Sequence, residues 1–265
     1  MPAPRPSADQ VHLAAPDPAR VYDCLIGGSN TLDADRAAGV WIKLTAPDLF
    51  TTMQASKAFA RRAIRFVSSQ GIKQFIDIGC GFPNSPNTHE IAQSVNPAAK
   101  VLYTDKDLTV ARRVEEYLRG EPGTAFLRSN VLNPEAILAE GVATGLIDLG
   151  QPVACMLAAV FHFIPEEVHP DGIVSSLRRA MAPGSYLILS HLASDILWDT
   201  KNNEETLRRA TSDLYPRTKS RVTEFFGDFD LVAPGLVPAA EWRPEQAPDH
   251  STPALAIYGG VAQKN

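Results

Sequence analysis

The chain has 265 residues, is 45% hydrophobic and 21% charged, and carries a formal net charge of −5. A chain of this size buries on the order of 70–75% of its unfolded surface, so it needs neither a disulfide nor a metal staple. The acidic balance argues against a nucleic-acid partner, which selects a basic stripe. Cys24, Cys80 and Cys155 lie far apart with no C-x-x-C pair, as expected of reduced thiols. The start MPAPRPSADQ lacks an apolar signal core, and no apolar run reaches the roughly 20 residues of a membrane helix. The expectation is a soluble, cytoplasmic protein.

Residues 1–16 carry four prolines and little apolar material, and read as a disordered arm. Residues 17–70 are helical in periodicity, with a short helix capped near Asp33 and then a long one. On the long one Phe50, Met53, Ala60, Ile64 and Val67 share a face that Lys57 interrupts. Gly71 suits its C-terminal cap. The Arg61-Arg62-Ala63-Ile64-Arg65 cluster and Arg178-Arg179 read as solvated helix faces.

From 71 to 265 the pattern changes. Short apolar runs at 73–78, 100–105, 124–129, 152–160, 185–191, 229–233 and 254–262 alternate with helical stretches near 88–95, 107–119, 134–140, 166–182 and 204–215. Alternation of this kind predicts βαβ units in an α/β, Rossmann-like, doubly wound sheet of seven strands. The sheet is expected to be mostly parallel. The last two runs have no helix between them and form an antiparallel pair at its edge. A helical insertion near 192–226 is expected to help the N-terminal helices cover the site, bringing Trp198 and Tyr215 with it.

The loop after the first strand, DIGCGFPNSPNTHE, contains Asp77, Gly79 and Gly81. Ligands of open α/β sheets bind beyond the carboxyl ends of the strands. The dinucleotide pattern G-x-G-x-x-G requires glycine at 84, where Asn84 stands. The loop runs on to a helix start marked by Asn87 and Glu90, three residues apart. It suits a ligand without a pyrophosphate. Asp105 ends the second strand, where an acid accepts from ribose hydroxyls. Lys106 rather than Arg follows it, so an intact 2′-hydroxyl is expected.

FIDIGCG with YTDKD resembles the first motif and following acidic position of class I S-adenosylmethionine (SAM)-dependent methyltransferases. RVYDCLIGGSNTLDADR, DIGCGFPNSPNTHE, AAVFHFIP and PGSYLILSH together resemble an actinobacterial-type family of these enzymes with unassigned acceptor. The resemblance implies SAM as cofactor and transfer of its methyl group to an acceptor. It implies that Asp77, Gly79, Cys80 and Gly81 line the methionine part. It also places Asp105 on the ribose, with Lys106, Asn130 and Val131 around the adenine and the backbone of Ala158 and Ala159 facing the ligand's amino group. Asn130 stands where the family usually has Asp, and its amide carbonyl can still accept a hydrogen bond.

His162 follows the fourth strand and is the candidate base, since imidazole titrates near neutrality. A buried histidine bonded to backbone explains it equally well, and for His191 that plainer reading is favoured. His89 is placed to touch the methionine carboxylate. In RVYDCLIGGSN the paired glycines favour a turn over a helix, and the segment is read as a lid with Arg20, Tyr22 or Asn30 reaching the pocket. Two other functions fit less well: a non-catalytic SAM-binding protein, and an NAD-dependent oxidoreductase, which the missing third glycine opposes. A small-molecule acceptor is expected, with no nucleic acid or membrane partner. The sequence reveals no oligomeric state.

Overall fold

The computed structural model describes residues 16–196, 214–245 and 256–265. The expected N-terminal arm, Trp198 and most of the helix expected at 204–215 lie outside these residues.

Three helices precede the sheet. Helix α1 (Pro18–Leu25) begins at Asp17, whose carboxylate accepts from the amides of Ala19 and Arg20 at 3.0 and 3.1 Å. Helix α2 (Asp33–Thr45) is capped from inside: the Asp35 carboxylate reaches back to the Leu32 amide at 2.8 Å. Helix α3 (Pro47–Ser69) is the long one, and Gly71 follows it at φ +90°, a conformation that favours glycine.

The sheet then alternates as expected. Strand β1 (Gln74–Ile78) leads to α4 (Thr88–Val95), β2 (Lys100–Asp105) to α5 (Leu108–Tyr117), and β3 (Thr124–Arg128) to α6 (Pro134–Ala143). Strand β4 (Ala154–Ala158) is followed by two 3-10 turns and α7 (Pro170–Ala180), and then by β5 (Tyr186–Leu192). The helix expected over 166–182 starts only at Pro170. Proline suits the first helical position, and the residue before it, disfavoured in the right-handed α region, is His169 at φ 54°. A short helix α8 (Lys219–Glu224), inside the helical insertion expected near 192–226 but without bounds of its own there, precedes β6 (Asp230–Leu231), β7 (Val237–Pro238) and β8 (Ile257–Gln263).

Strand order is β3-β2-β1-β4-β5-β8-β6, with β7 also paired to β8. Strands β1 to β5 are parallel, and β8 runs antiparallel to β5, β6 and β7. The order reverses between β1 and β4, which opens the crevice where such sheets bind ligands.

Helix α3 lies on the same side of the sheet as this crevice and is part of the core. Phe59, Ala63, Ile64 and Val67 pack with Phe75 of β1, Met156 of β4, Ile188 of β5 and Val261 of β8. A second cluster covers the other face, and α1 and α2 make a third through Val21, Leu25, Ile42 and Leu49. The arginine cluster on α3 departs from its expected solvated role. Arg62 donates to the carbonyls of Trp242 and Ala239 at 2.8 and 2.7 Å, and Arg61 to those of Asn84 and Ser85 at 3.3 and 3.0 Å. These carbonyls lie outside the strands of the sheet, and a planar guanidinium reaches two at once. Arg178 likewise binds the Phe226 carbonyl and Asp228. Among the described residues no helix is long and apolar enough to cross a membrane.

Candidate active site

A cavity of about 710 Å³ lies over the carboxyl ends of β1, β2 and β4. That falls within the usual range for small-ligand sites, about 300–1,000 Å³. Its floor is the glycine loop. Gly79 and Gly81 adopt φ +70° and +65°, and the amides of Gly79 and Cys80 both donate to the Thr104 carbonyl, at 2.8 and 3.0 Å. A Cβ on Gly79 would meet Val160 at 2.6 Å, whereas one on Gly81 would meet nothing within 4 Å. The first glycine therefore serves packing as well as φ. The second leaves open space on the ligand side.

Asp105 ties this loop to the next strand. One carboxylate oxygen accepts from the Gly81 amide and the other from the Asp107 amide, both at 3.0 Å. Each oxygen keeps a second lone pair for a ligand hydroxyl. Burial raises the Asp105 pKa against these bonds. Asp107 itself caps α5.

Asp77 is 6% exposed and accepts from the Thr88 hydroxyl at 2.6 Å, at the first turn of α4. Burial raises its pKa to about 6, against the Thr88 bond and the charge of Lys57. Lys57 and Arg61 project into the cavity from α3, four residues apart on the stripe that also brings Ala60 and Ile64 to its wall. Among the described residues Lys57 has neither a hydrogen bond nor an ion pair, and burial lowers its pKa. Arg61 keeps a buried Nε without a partner. The sequence held one signal for this pair, the lysine that interrupts an apolar stripe. Nothing singled out Arg61 from the other arginines near it.

The remaining expected residues divide. Cys80, His89, Lys106, Asn130, Val131, Ala158, Ala159 and Tyr22 line the cavity. The His89 ring is held by Tyr103, whose hydroxyl accepts from the His89 amide at 2.8 Å and meets its Nδ1 at 2.7 Å. Burial lowers the pKa of this ring. The Asn130 side-chain oxygen accepts from the Leu132 amide at 3.1 Å. Ala159 holds φ 59°, unusual for a residue with a Cβ, and its amide donates to the Ser190 hydroxyl at 2.9 Å.

Arg20 and Asn30 do not line the cavity. The Arg20 Nε donates to Asp35 at 2.6 Å, and the Asn30 backbone amide donates to Asp23 at 2.8 Å, so both serve the turn between α1 and α2. His162 is 5% exposed and sits behind the cavity wall, its pKa pushed well below the ordinary value by burial, with the positive Arg217 nearby acting in the same direction. His191 is buried and neutral: its Nδ1 meets the Leu192 carbonyl and its Nε2 accepts from Arg217, both at 2.8 Å.

The open side of the cavity is apolar, with Phe163, Ile164, Pro165, Val168 and Tyr215. Arg217 holds this wall in place. It binds Glu166 at 2.5 Å and donates to the carbonyls of Phe161 and Ile164 at 2.9 and 2.8 Å.

A family model described as S-adenosyl methyltransferase matches residues 4–265. Two solved structures share this architecture at a TM-score of 0.90. One is a protein from Thermobifida fusca YX described provisionally as a methyltransferase, 34% identical, covering 98% of this chain and 100% of that one. The other is a DUF574 family protein from Streptomyces avermitilis MA-4680, 33% identical, covering 96% of this chain and 100% of that one. The mitomycin 7-O-methyltransferase MmcR is similar in fold alone, at 14% identity and a TM-score of 0.51, over 94% of this chain and 69% of that one. No curated protein matches the sequence significantly.

Proposed function

Because the chain belongs to the S-adenosyl methyltransferase family, we propose how its cavity divides between SAM and a small, partly apolar acceptor. The chain is a SAM-dependent methyltransferase, and the NAD-dependent alternative is not favoured. The observation that carries the division is the Asp105 carboxylate. It is locked to the Gly81 amide at 3.0 Å and keeps lone pairs for two ribose hydroxyls.

The residues present fit SAM. Asp105 takes the ribose, and Lys106, Asn130 and Val131 border the adenine. At the other end charges are complementary to an amino acid: Lys57 and the unpartnered Nε of Arg61 for the carboxylate, Asp77 for the ammonium. When bound, SAM supplies an electrophilic methyl group on a sulfonium. Much of what the chain contributes is position and exclusion of water. Tyr22, with its pKa raised by burial to about 12, stays protonated at neutral pH and acts as a hydrogen-bond donor rather than a base. His162, kept neutral by burial, does not line this cavity and is not placed as a base in it.

The apolar wall of Phe163, Ile164 and Val168 supports an acceptor that is a small molecule with an apolar body rather than a nucleic acid. Free thiols at Cys24, Cys80 and Cys155 suit a reducing, cytoplasmic compartment. Titration calorimetry with SAM and NAD side by side tests the cofactor: SAM is expected to bind and NAD not. Incubation with methyl-labelled SAM and a metabolite extract tests the acceptor. Label found only in macromolecules would overturn the small-molecule reading.

A further inference from the structure

Behind Tyr22 a second, much smaller cavity of about 30 Å³ adjoins the first. Tyr22, Ser56, Ala159 and Phe163 belong to the walls of both. Most of the annex is apolar, but two of its lining side chains carry buried polar atoms with no partner: the Thr52 hydroxyl and His162 Nδ1. Thr52 is 1% exposed and His162 5%. Buried polar atoms are almost always satisfied, so two orphans in one small pocket point to a group that arrives from outside. A threonine in a helix commonly bonds the carbonyl four residues earlier, and Thr52 on α3 does not.

We propose that this annex is the specificity subsite for the acceptor: it receives one hydroxyl or amino group carried on the acceptor's apolar body. The inference rests on the division of the main cavity given above. The chemistry favours a group that both donates and accepts. Thr52 offers a donor and acceptor lone pairs, and neutral His162 offers at Nδ1 a donor or an acceptor according to tautomer. A methyl group would leave both atoms unsatisfied. The space admits about one water-sized group, so an ionised carboxylate or phosphate does not fit. The apolar body lies outside, against Phe163 and the wall beyond it. Sites that hydrogen-bond a hydroxyl reject the analogue lacking it far more strongly than apolar pockets reject one methylene.

The test uses phenol and toluene, which match in shape and differ in the hydroxyl, on the full chain with and without S-adenosylhomocysteine. Dissociation constants come from ligand-observed NMR, and the His162 ring is followed by its 15N shifts. Phenol is expected to bind at least tenfold more tightly than toluene and to shift His162. Thr52→Val is close to isosteric, and it and His162→Phe are each expected to bring the ratio to within about twofold, while Thr52→Ser keeps it. Parity in the unaltered protein, as an annex holding only water would give, overturns the proposal. So does a preference that survives both Thr52→Val and His162→Phe. SAM affinity is measured separately. Its loss with the phenol preference intact would count against the proposed cofactor site and not against the annex.

Discussion

Asp77 is a buried carboxylate and Asp105 a half-buried one, and their partners give them different work. Asp105 holds backbone amides on two sides and shapes the loop. Hydrogen bonds to a charged group are worth about 1.5–3 kcal/mol, or ~10–150-fold in affinity. Asp105→Ala is therefore expected to weaken SAM binding by ~10–150-fold in calorimetry, and an unchanged dissociation constant would remove Asp105 from the ribose. Among the described residues Asp77 accepts one hydrogen bond, from Thr88, and its pKa is raised from 3.8 to about 6. The native state prefers the protonated form, so the stabilisation is full below pH 4 and is lost as pH rises through 6. The shift corresponds to ~3 kcal/mol. Asp77→Asn keeps an acceptor for Thr88 and cannot ionise. Urea denaturation is expected to find variant and parent equal in stability near pH 4 and the variant more stable, by up to ~3 kcal/mol, at pH 7. SAM affinity is expected to fall in the same variant, the mark of a residue kept for binding at the expense of stability. Equal stabilities at both pH values would mean that Asp77 is not strained by its burial.

Among the elements, the wall on the acceptor side depends most on a single side chain. The segment 161–168 has no strand or long helix of its own, only two 3-10 turns. Arg217 binds it at Phe161, Ile164 and Glu166 and also occupies His191 Nε2. Arg221 of α8 ties Glu166 to Asp171 of α7 at 2.8 and 2.6 Å. Glu166 is half exposed and keeps Arg221, but the Phe161 and Ile164 carbonyls and His191 Nε2 would lose their donor, and a buried polar group left unsatisfied costs about 1–3 kcal/mol. Arg217→Met is expected to lose stability on that scale. It should also speed hydrogen exchange at the amides of 161–168, while SAM affinity changes by no more than ~3-fold, since no proposed SAM contact comes from this segment. Exchange accelerated evenly over the whole chain would make Arg217 a general stabiliser rather than the clasp of this wall. In this half the sequence marks no strand at β7 and no separate bounds for α8 within the expected 192–226 insertion, for a plain reason. Val237–Pro238 is two residues long, and Lys219–Glu224 has a single buried residue, Val222. Neither length carries a period that could be read.

At the scale of the molecule, the N-terminal helices are not an appendage. Phe59 of α3 is fully buried, meets Trp242 edge-to-face at 5.5 Å, and sits against Gly259 of β8. Cover and sheet thus share one core and are expected to unfold together. Tryptophan fluorescence and far-ultraviolet circular dichroism should give one coincident urea transition, and two separated transitions would assign the helices an independent core. A Cβ on Gly259 would come within 2.7 Å of the Phe59 ring. Gly259→Ala is expected to lower stability by ~1–3 kcal/mol, the cost of overpacking, as a shift of that single transition.

Local signals sufficed for much of this protein. The change from a 3.6-residue period to short, near-continuous apolar runs located the sheet strands β1 to β5, Gly71 marked the end of α3, and the spacing of Gly79, Gly81 and Asp105 indicated a nucleoside site, because each depends on short stretches of sequence. The tertiary structure decided what faces that site. Lys57 and Arg61 reach it only because α3 packs across the sheet, and His162 is withdrawn from it because Arg217, 55 positions along the chain, holds its turn. Side-chain direction on an isolated helix or turn is free until another element takes the opposite face. Packing between distant segments therefore assigned these side chains to the cavity or to the core.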